Sequence, residues 1–140
     1  VLFRSFIGGY HGTTGTALGM SAHIAMASVV SGANVVKVPY PHPYRPPFGE
    51  DPAECGERAI RFLNDYIFKT ICPPDDVAGI VVEAVQSDGG DIVPPADFLP
   101  MLEELCRRHD IHLVLDEVKV GMERHRLQAI SLRQRHLFFV

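Results

Sequence analysis

Residues 77–121 constrain the fold of this chain more than any other stretch. They read VAGIVVEAVQSDGGDIVPPADFLPMLEELCRRHDIHLVLDEVKVG. A continuous apolar, largely β-branched run from Val77 to Val82 is the pattern of a strand buried on both faces, as in a parallel sheet. Glu83 follows at once. Asp97 is positioned to cap a helix whose Phe98, Leu102 and Leu105 share one face. Ile111-His112-Leu113-Val114-Leu115 is the second buried strand, and Asp116-Glu117 ends it. Strand, helix and strand in that order imply a right-handed parallel crossover. Such a unit delivers Glu83 and Asp116 to one edge of a sheet, outside the carboxyl ends of the strands, where open α/β sheets bind ligands.

The flanking sequence is consistent with that class. Residues 2–7 are short and β-rich and stop at Gly8-Gly9. Tyr10-His11-Gly12-Thr13-Thr14-Gly15 is a glycine-rich turn, and residues 16–27, rich in Ala, Met and Leu, are expected to be helical. Glycines allow close approach of backbone to a ligand. The spacing is neither a dinucleotide fingerprint nor a phosphate loop with its lysine, which disfavours a nucleotide-binding module. Val35-Val36-Lys37-Val38 is a short strand. The prolines between Pro39 and Pro47 exclude helix and interior strand, leaving an extended segment in which Tyr40 and Tyr44 are expected to pack. Asp51-Pro52-Ala53-Glu54 is a helix start, after which Cys55, Ala59, Phe62, Leu63, Tyr66 and Ile67 recur at helical spacing.

Charge and composition exclude several classes. The net charge of −4 does not indicate a nucleic-acid or membrane surface, and no run approaches the roughly 18 apolar residues of a membrane span. Residues 1–49 contain no Asp or Glu, so they are expected to be buried in a core or against a partner subunit. Cys55, Cys72 and Cys106 are odd in number and widely spaced, which suits reduced, buried thiols in a cytoplasmic protein. His109 and His112 straddle a helix end and a strand start and do not form a same-face metal pair; no metal is expected, and a metal role for His42 is unsupported.

Three stretches carry a resemblance. Residues 83–95, EAVQSDGGDIVPP, resemble the Glu-Pro-aliphatic-Gln-x-acidic-Gly-Gly signature, ending in Pro-Pro, of the class III aminotransferases. Residues 98–124 resemble the same family's helix, strand and Asp-Glu-Val segment. Residues 8–22, GGYHGTTGTALGMSA, resemble its Tyr-His-Gly turn. The family includes 4-aminobutyrate and ornithine aminotransferases and dialkylglycine decarboxylase. The resemblance implies an α/β fold, a piece of the large domain of a fold type I transferase, with a mostly parallel sheet flanked by helices. It implies pyridoxal 5′-phosphate as cofactor, amino-acid or ω-amino-acid and 2-oxo-acid substrates, and a homodimer when full length.

Residue roles follow from the same resemblance. Asp116 matches the carboxylate beside the cofactor's ring nitrogen, where a charge-assisted hydrogen bond keeps the ring protonated. Tyr10 matches the aromatic on one ring face and Val118 the apolar residue on the other. Glu83 matches a carboxylate near the substrate and the cofactor hydroxyl, and Asp88 an acidic position on the substrate side. His11 lies within reach of the site, either as a hydrogen-bond donor or as a structural residue. Glu117 is expected to be structural and hydrogen-bonded. Lys119 occupies a position that is often Gln, facing the cofactor hydroxyl, and is not the Schiff-base lysine. That lysine lies well downstream in the family, and no lysine follows Lys119 here.

Residues 1–124 are therefore expected to be a partial cofactor-binding domain. Residues 125–140 diverge from the family pattern, as a truncated gene, a frame error near Glu123 or a partial assembly would produce, and are expected to pack poorly. The chain lacks an initiator Met and is expected to be a piece of a longer polypeptide. The alternative is a catalytically inert α/β fragment or pseudoenzyme able only to bind a partner subunit.

Overall fold

The computed structural model describes residues 2–22, 34–120 and, for its backbone, 137–139. Strands β1 (Leu2–Phe6), β2 (Val35–Val38), β3 (Val77–Glu83), β4 (His112–Asp116) and β5 (Leu137–Phe139) form one sheet in the order β2-β1-β3-β4-β5. Every pairing is parallel. The reversal of strand order puts a topological switch point between β1 and β3, with the carboxyl ends of the strands along one edge. The crossover read from residues 77–121 is present, with β3 and β4 neighbours in the sheet. β5 lies within residues 125–140, which are expected to diverge, and pairs with β4; the remainder of that stretch is outside the described residues.

One core covers a face of this sheet. The register partners Phe6 and Val38, Ile80 and Leu113, and Val82 and Leu115 all belong to it. Two helical elements close it. Helix α2 (Cys55–Arg61) starts from a tight turn in which the Asp51 carboxylate accepts the Ala53 amide at 2.9 Å. It continues as a wider-wound segment, Phe62–Ile71. Cys55, Ala59, Leu63 and Ile67 are buried along this length while Tyr66 is 52% exposed. A strict four-residue repeat drifts forward around a helix of 3.6 residues per turn and backward around a wider one, so the change of winding keeps the repeat facing the sheet. Helix α3 (Phe98–Arg108) buries Phe98, Leu102, Leu105 and Cys106. Asp97 stands at its N-terminus, but its side chain makes no capping bond; its main-chain carbonyl accepts from Met101 instead. Asp110, at φ 57°, turns the chain into β4 as the Ile111 amide reaches back to the Cys106 carbonyl at 2.9 Å, closing the helix end in the manner of a left-handed cap.

Other expectations divide. Helix α1 runs only from Gly15 to Met20. The chain leaves it where Ser21 and Ala22 are bonded to the preceding loop: the Ser21 hydroxyl accepts from His11 and donates to Gly12, and the Ala22 main chain donates to Gly9 and accepts from Gly8. The expected helical residues 23–27 lie outside the described residues. Tyr40 is buried and meets Phe6 and Phe98 edge-on, with ring centroids 5.7 and 5.6 Å away. Tyr44 is 84% exposed and touches only His42 and Arg45 among the described rings and cations. Within residues 1–49, Arg4, Ser5 and Phe6 are buried while residues 13–16 are exposed. The three cysteines are free and buried. Burial, together with the charge of Glu103, pushes the Cys106 thiol up to about 12, which suits a packing role rather than a nucleophile.

Arg4 is the exception to this core. It is fully buried, its Nη1 donates to the Phe3 carbonyl at 3.0 Å, and Nε and Nη2 have no partner among the described residues. A buried cation without a carboxylate opposes folding, and an apolar residue of similar length removes that cost. Arg4→Met is expected to raise stability by about 1–4 kcal/mol, read as a higher denaturant midpoint at unchanged slope.

Candidate active site

The carboxyl ends of β1, β3 and β4 meet at the switch point, where Glu83 and Asp116 are register partners on adjacent strands. The loop after β1 crosses above them. Its path depends on glycine: Gly8 has φ 89°, and a Cβ there would stand 2.7 Å from Gln86 Oε1. A Cβ on Gly89 would stand 2.5 Å from the same oxygen and 3.0 Å from the Gly8 carbonyl. Gln86, 1% exposed, uses this space to donate from Nε2 to the Ile7 carbonyl at 3.0 Å, joining the two glycine turns.

Glu83 joins them a second time. Its Oε1 accepts the Tyr10 amide at 2.7 Å and its Oε2 the Ser87 amide at 3.0 Å. Both oxygens of this buried carboxylate are engaged by main chain, one from the turn after β1 and one from the turn after β3. The Tyr40 hydroxyl donates to the Glu83 carbonyl at 3.1 Å, so the strand end is held from the proline-rich segment as well. Burial and the adjacent Glu83 charge raise the Tyr40 pKa far above the ordinary phenol value, and the hydroxyl remains a donor.

His11 and Asp116 form the polar centre. His11 Nδ1 lies 2.8 Å from Asp116 Oδ2, with side-chain exposures of 4% and 12%. An ionised carboxylate only accepts, so the shared proton is on Nδ1. Asp116 Oδ1 accepts the Val118 amide at 3.1 Å. Burial pushes the Asp116 carboxyl up, but the bonds from His11 and Val118 outweigh it and hold the pKa below the ordinary aspartate value. Among the described residues His11 Nε2 is buried without a partner, an unsatisfied polar atom of the kind that draws attention to a site.

The other residues singled out in the sequence take distinct places. Tyr10 is 37% exposed and Val118 85% exposed, so both side chains are open for contact. Lys119 is exposed beside Val118, and Asp88 is exposed in the turn between β3 and α3. Glu117 is 5% exposed, and its Oε1 has no hydrogen-bond partner among the described residues, where hydrogen bonding is expected. No group of His, Cys, Asp or Glu suited to a metal occurs among the described residues, and no helix among them is long and apolar enough to cross a membrane. Ser21, Lys37, Tyr40 and Gln86 were not legible as site-supporting residues. Their contacts join positions far apart in the chain, which local pattern does not encode.

The model of the aminotransferase class-III family matches residues 3–125. The chain is 38% identical to an alanine/serine racemase of Pyrococcus horikoshii over 86% of its own length and 27% of that protein's. It is 33% identical to a diaminobutyrate–2-oxoglutarate aminotransferase of Haemophilus influenzae, over 84% of this chain and 26% of the relative. Among solved structures, an amine transaminase of an uncultivated Pseudomonas species, in its PLP-bound form, superposes with a TM-score of 0.79 at 33% identity, covering 88% of this chain and 28% of the other. The chain thus spans about a quarter of the length of the curated relatives it matches. With most of its length matched by the family's model and a shared strand framework, the chain belongs to the class-III aminotransferases.

Proposed function

We propose that this chain forms the ring-binding floor of a pyridoxal 5′-phosphate enzyme that moves an amino group from an amino acid or ω-amino acid to a 2-oxo acid. The observation that carries the reading is the His11–Asp116 pair at the sheet edge. The donor set fits a protonated pyridine ring. Asp116 is held ionised by two donors, and a carboxylate oxygen can accept more than one hydrogen bond. When bound, the cofactor supplies an electron sink for the electrons left on a substrate Cα.

The chain's own residues then have separate tasks. Asp116 holds a proton at the ring nitrogen through a charge-assisted hydrogen bond. His11 orients that carboxylate. Tyr10 offers an aromatic face and Val118 an apolar one, and both are exposed for the purpose. Glu83, through the Tyr10 amide, fixes where the aromatic ring starts. Asp88 lies on the substrate side and Lys119 on the side of the cofactor hydroxyl. The lysine that bonds to the cofactor is not Lys119. In this reading the full-length protein is a homodimer in the cytoplasm, a compartment that suits three unpaired, buried thiols.

A second reading, racemisation, is favoured by the identity of 38% to a racemase. Incubating the intact protein with cofactor, an L-amino acid and pyruvate separates the two. Formation of alanine supports amino transfer. Loss of optical purity without alanine supports racemisation. Absence of saturable cofactor binding overturns both. Borohydride reduction followed by peptide mapping is expected to leave Lys119 unmodified.

A further inference from the structure

Behind the His11–Asp116 pair lies a second polar tie that the cofactor reading does not use. Lys37, on β2, is the register partner of Ser5 on β1. Its ammonium donates to the main-chain carbonyl of Ser21, just past the end of α1. Ser21 is 2% exposed. Its hydroxyl accepts the His11 amide at 2.8 Å and donates to the Gly12 carbonyl at 2.8 Å, with the Ala17 carbonyl 3.2 Å away. The residue after it exchanges main-chain bonds with Gly8 and Gly9. Ser21 is therefore a hub with the loop on one side and β2 on the other.

The end of α1 lacks a cation of its own, with no basic residue in its last turn. Lys37 provides one from a neighbouring strand, where a cation favours the exposed carbonyls of a helix end. Burial lowers the Lys37 pKa from the ordinary lysine value, and in such surroundings a hydrogen bond to a carbonyl is stronger than in water. Tying the Ser21 carbonyl also fixes its hydroxyl, and the hydroxyl meets the amide of the residue whose imidazole orients Asp116.

We propose that Lys37 is a positioning residue of this site: by anchoring Ser21 it sets the main chain of His11, and through it the imidazole against Asp116. The functional meaning rests on the reading of Asp116 as the partner of the cofactor's ring nitrogen. The anchoring itself does not.

The test uses Lys37→Met, Lys37→Arg, Ser21→Ala and the double variant in the intact protein. Lys69→Met serves as control, since Lys69 pairs with Asp65 on the exposed face of the wide-wound segment. Hydrogen exchange of residues 10–12 and the dissociation constant of pyridoxal 5′-phosphate are measured together. Lys37→Met is expected to speed exchange in residues 10–12 by about ten-fold and to weaken cofactor binding by about ten-fold. Lys37→Arg should recover part of both, Ser21→Ala should reproduce them, and Lys69→Met should leave both unchanged. Because Lys37 and Ser21 act in one chain of contacts, the double variant should be no worse than either single one. Unchanged exchange at residues 10–12 in Lys37→Met, or fully additive effects in the double variant, would overturn the proposal. If exchange responds as expected but the unsubstituted protein binds no cofactor, the positioning stands and the cofactor reading fails.

Discussion

Asp116→Asn is expected to lower kcat/KM of the intact protein by about two to three orders of magnitude, the scale of losing one preorganised electrostatic partner. This carboxylate already holds two donors, His11 Nδ1 and the Val118 amide. Both oxygens accept in the native site. An asparagine offers one acceptor and one NH2 group, so both contacts survive only if the His11 proton moves to Nε2 and Nδ1 becomes the acceptor. The larger loss is the charge. A neutral amide cannot hold a proton on a pyridine nitrogen as an ionised carboxylate does, and that proton gives the ring its electron-accepting strength. The size and shape of the side chain are kept, so the thermal midpoint should fall far less than the activity. Steady-state kinetics beside a melting curve distinguish the two effects. Activity within a factor of a few of the unsubstituted protein would remove Asp116 from the role assigned to it.

Glu83→Ala should instead act on the fold. The carboxylate satisfies the main-chain amides of Tyr10 and Ser87 at 2.7 and 3.0 Å and is 5% exposed. Truncation leaves both amides without an acceptor at the end of a buried strand. At about 1–3 kcal/mol for each of the two unsatisfied buried donors, the expected loss is about 2–6 kcal/mol, near the lower end where water enters beside the partly exposed Tyr10. Glu83→Gln keeps one acceptor and turns a donor toward the other amide, so it should fall between. Denaturant unfolding measures the loss, and amide exchange at Tyr10 and Ser87 locates it. A Glu83→Ala protein of unchanged stability with both amides still protected would mean that other groups hold these turns.

The two carboxylates show what local pattern carries and what it does not. The apolar run ending at Val82 and the one ending at Leu115 locate both strands, and the parallel register then makes Glu83 and Asp116 neighbours. Burial pattern is a property of each strand alone, so it is legible. The partners of Glu83 are main-chain amides, one of them 73 positions away. Any residue type supplies an amide, so no side-chain motif announces the contact. Tyr40 and Tyr44 fail for a related reason. In a proline-rich segment neither the helical nor the strand period applies, and nothing in the residues tells which tyrosine meets Phe6 and Phe98. Asp97 has a good capping side chain at the right place, yet no capping bond forms; propensity marks the boundary without specifying the bond. The short α1 ends where the Ser21 hydroxyl and the Ala22 main chain bond to the loop, a tertiary contact that local pattern does not announce.

The turn after β1 is fastened by Glu83 and Gln86 at and just past the end of β3, by Ser21 and by Asp116, which come from three separate stretches of the chain. Loosening it requires several of those attachments to release together, so its opening should be rare, closer in frequency to unfolding of the sheet than to the fluctuation of an ordinary surface loop. If this turn is the ring-binding floor proposed above, its stiffness leaves it little freedom to reshape around a substrate, and selection among substrates falls to groups outside the turn.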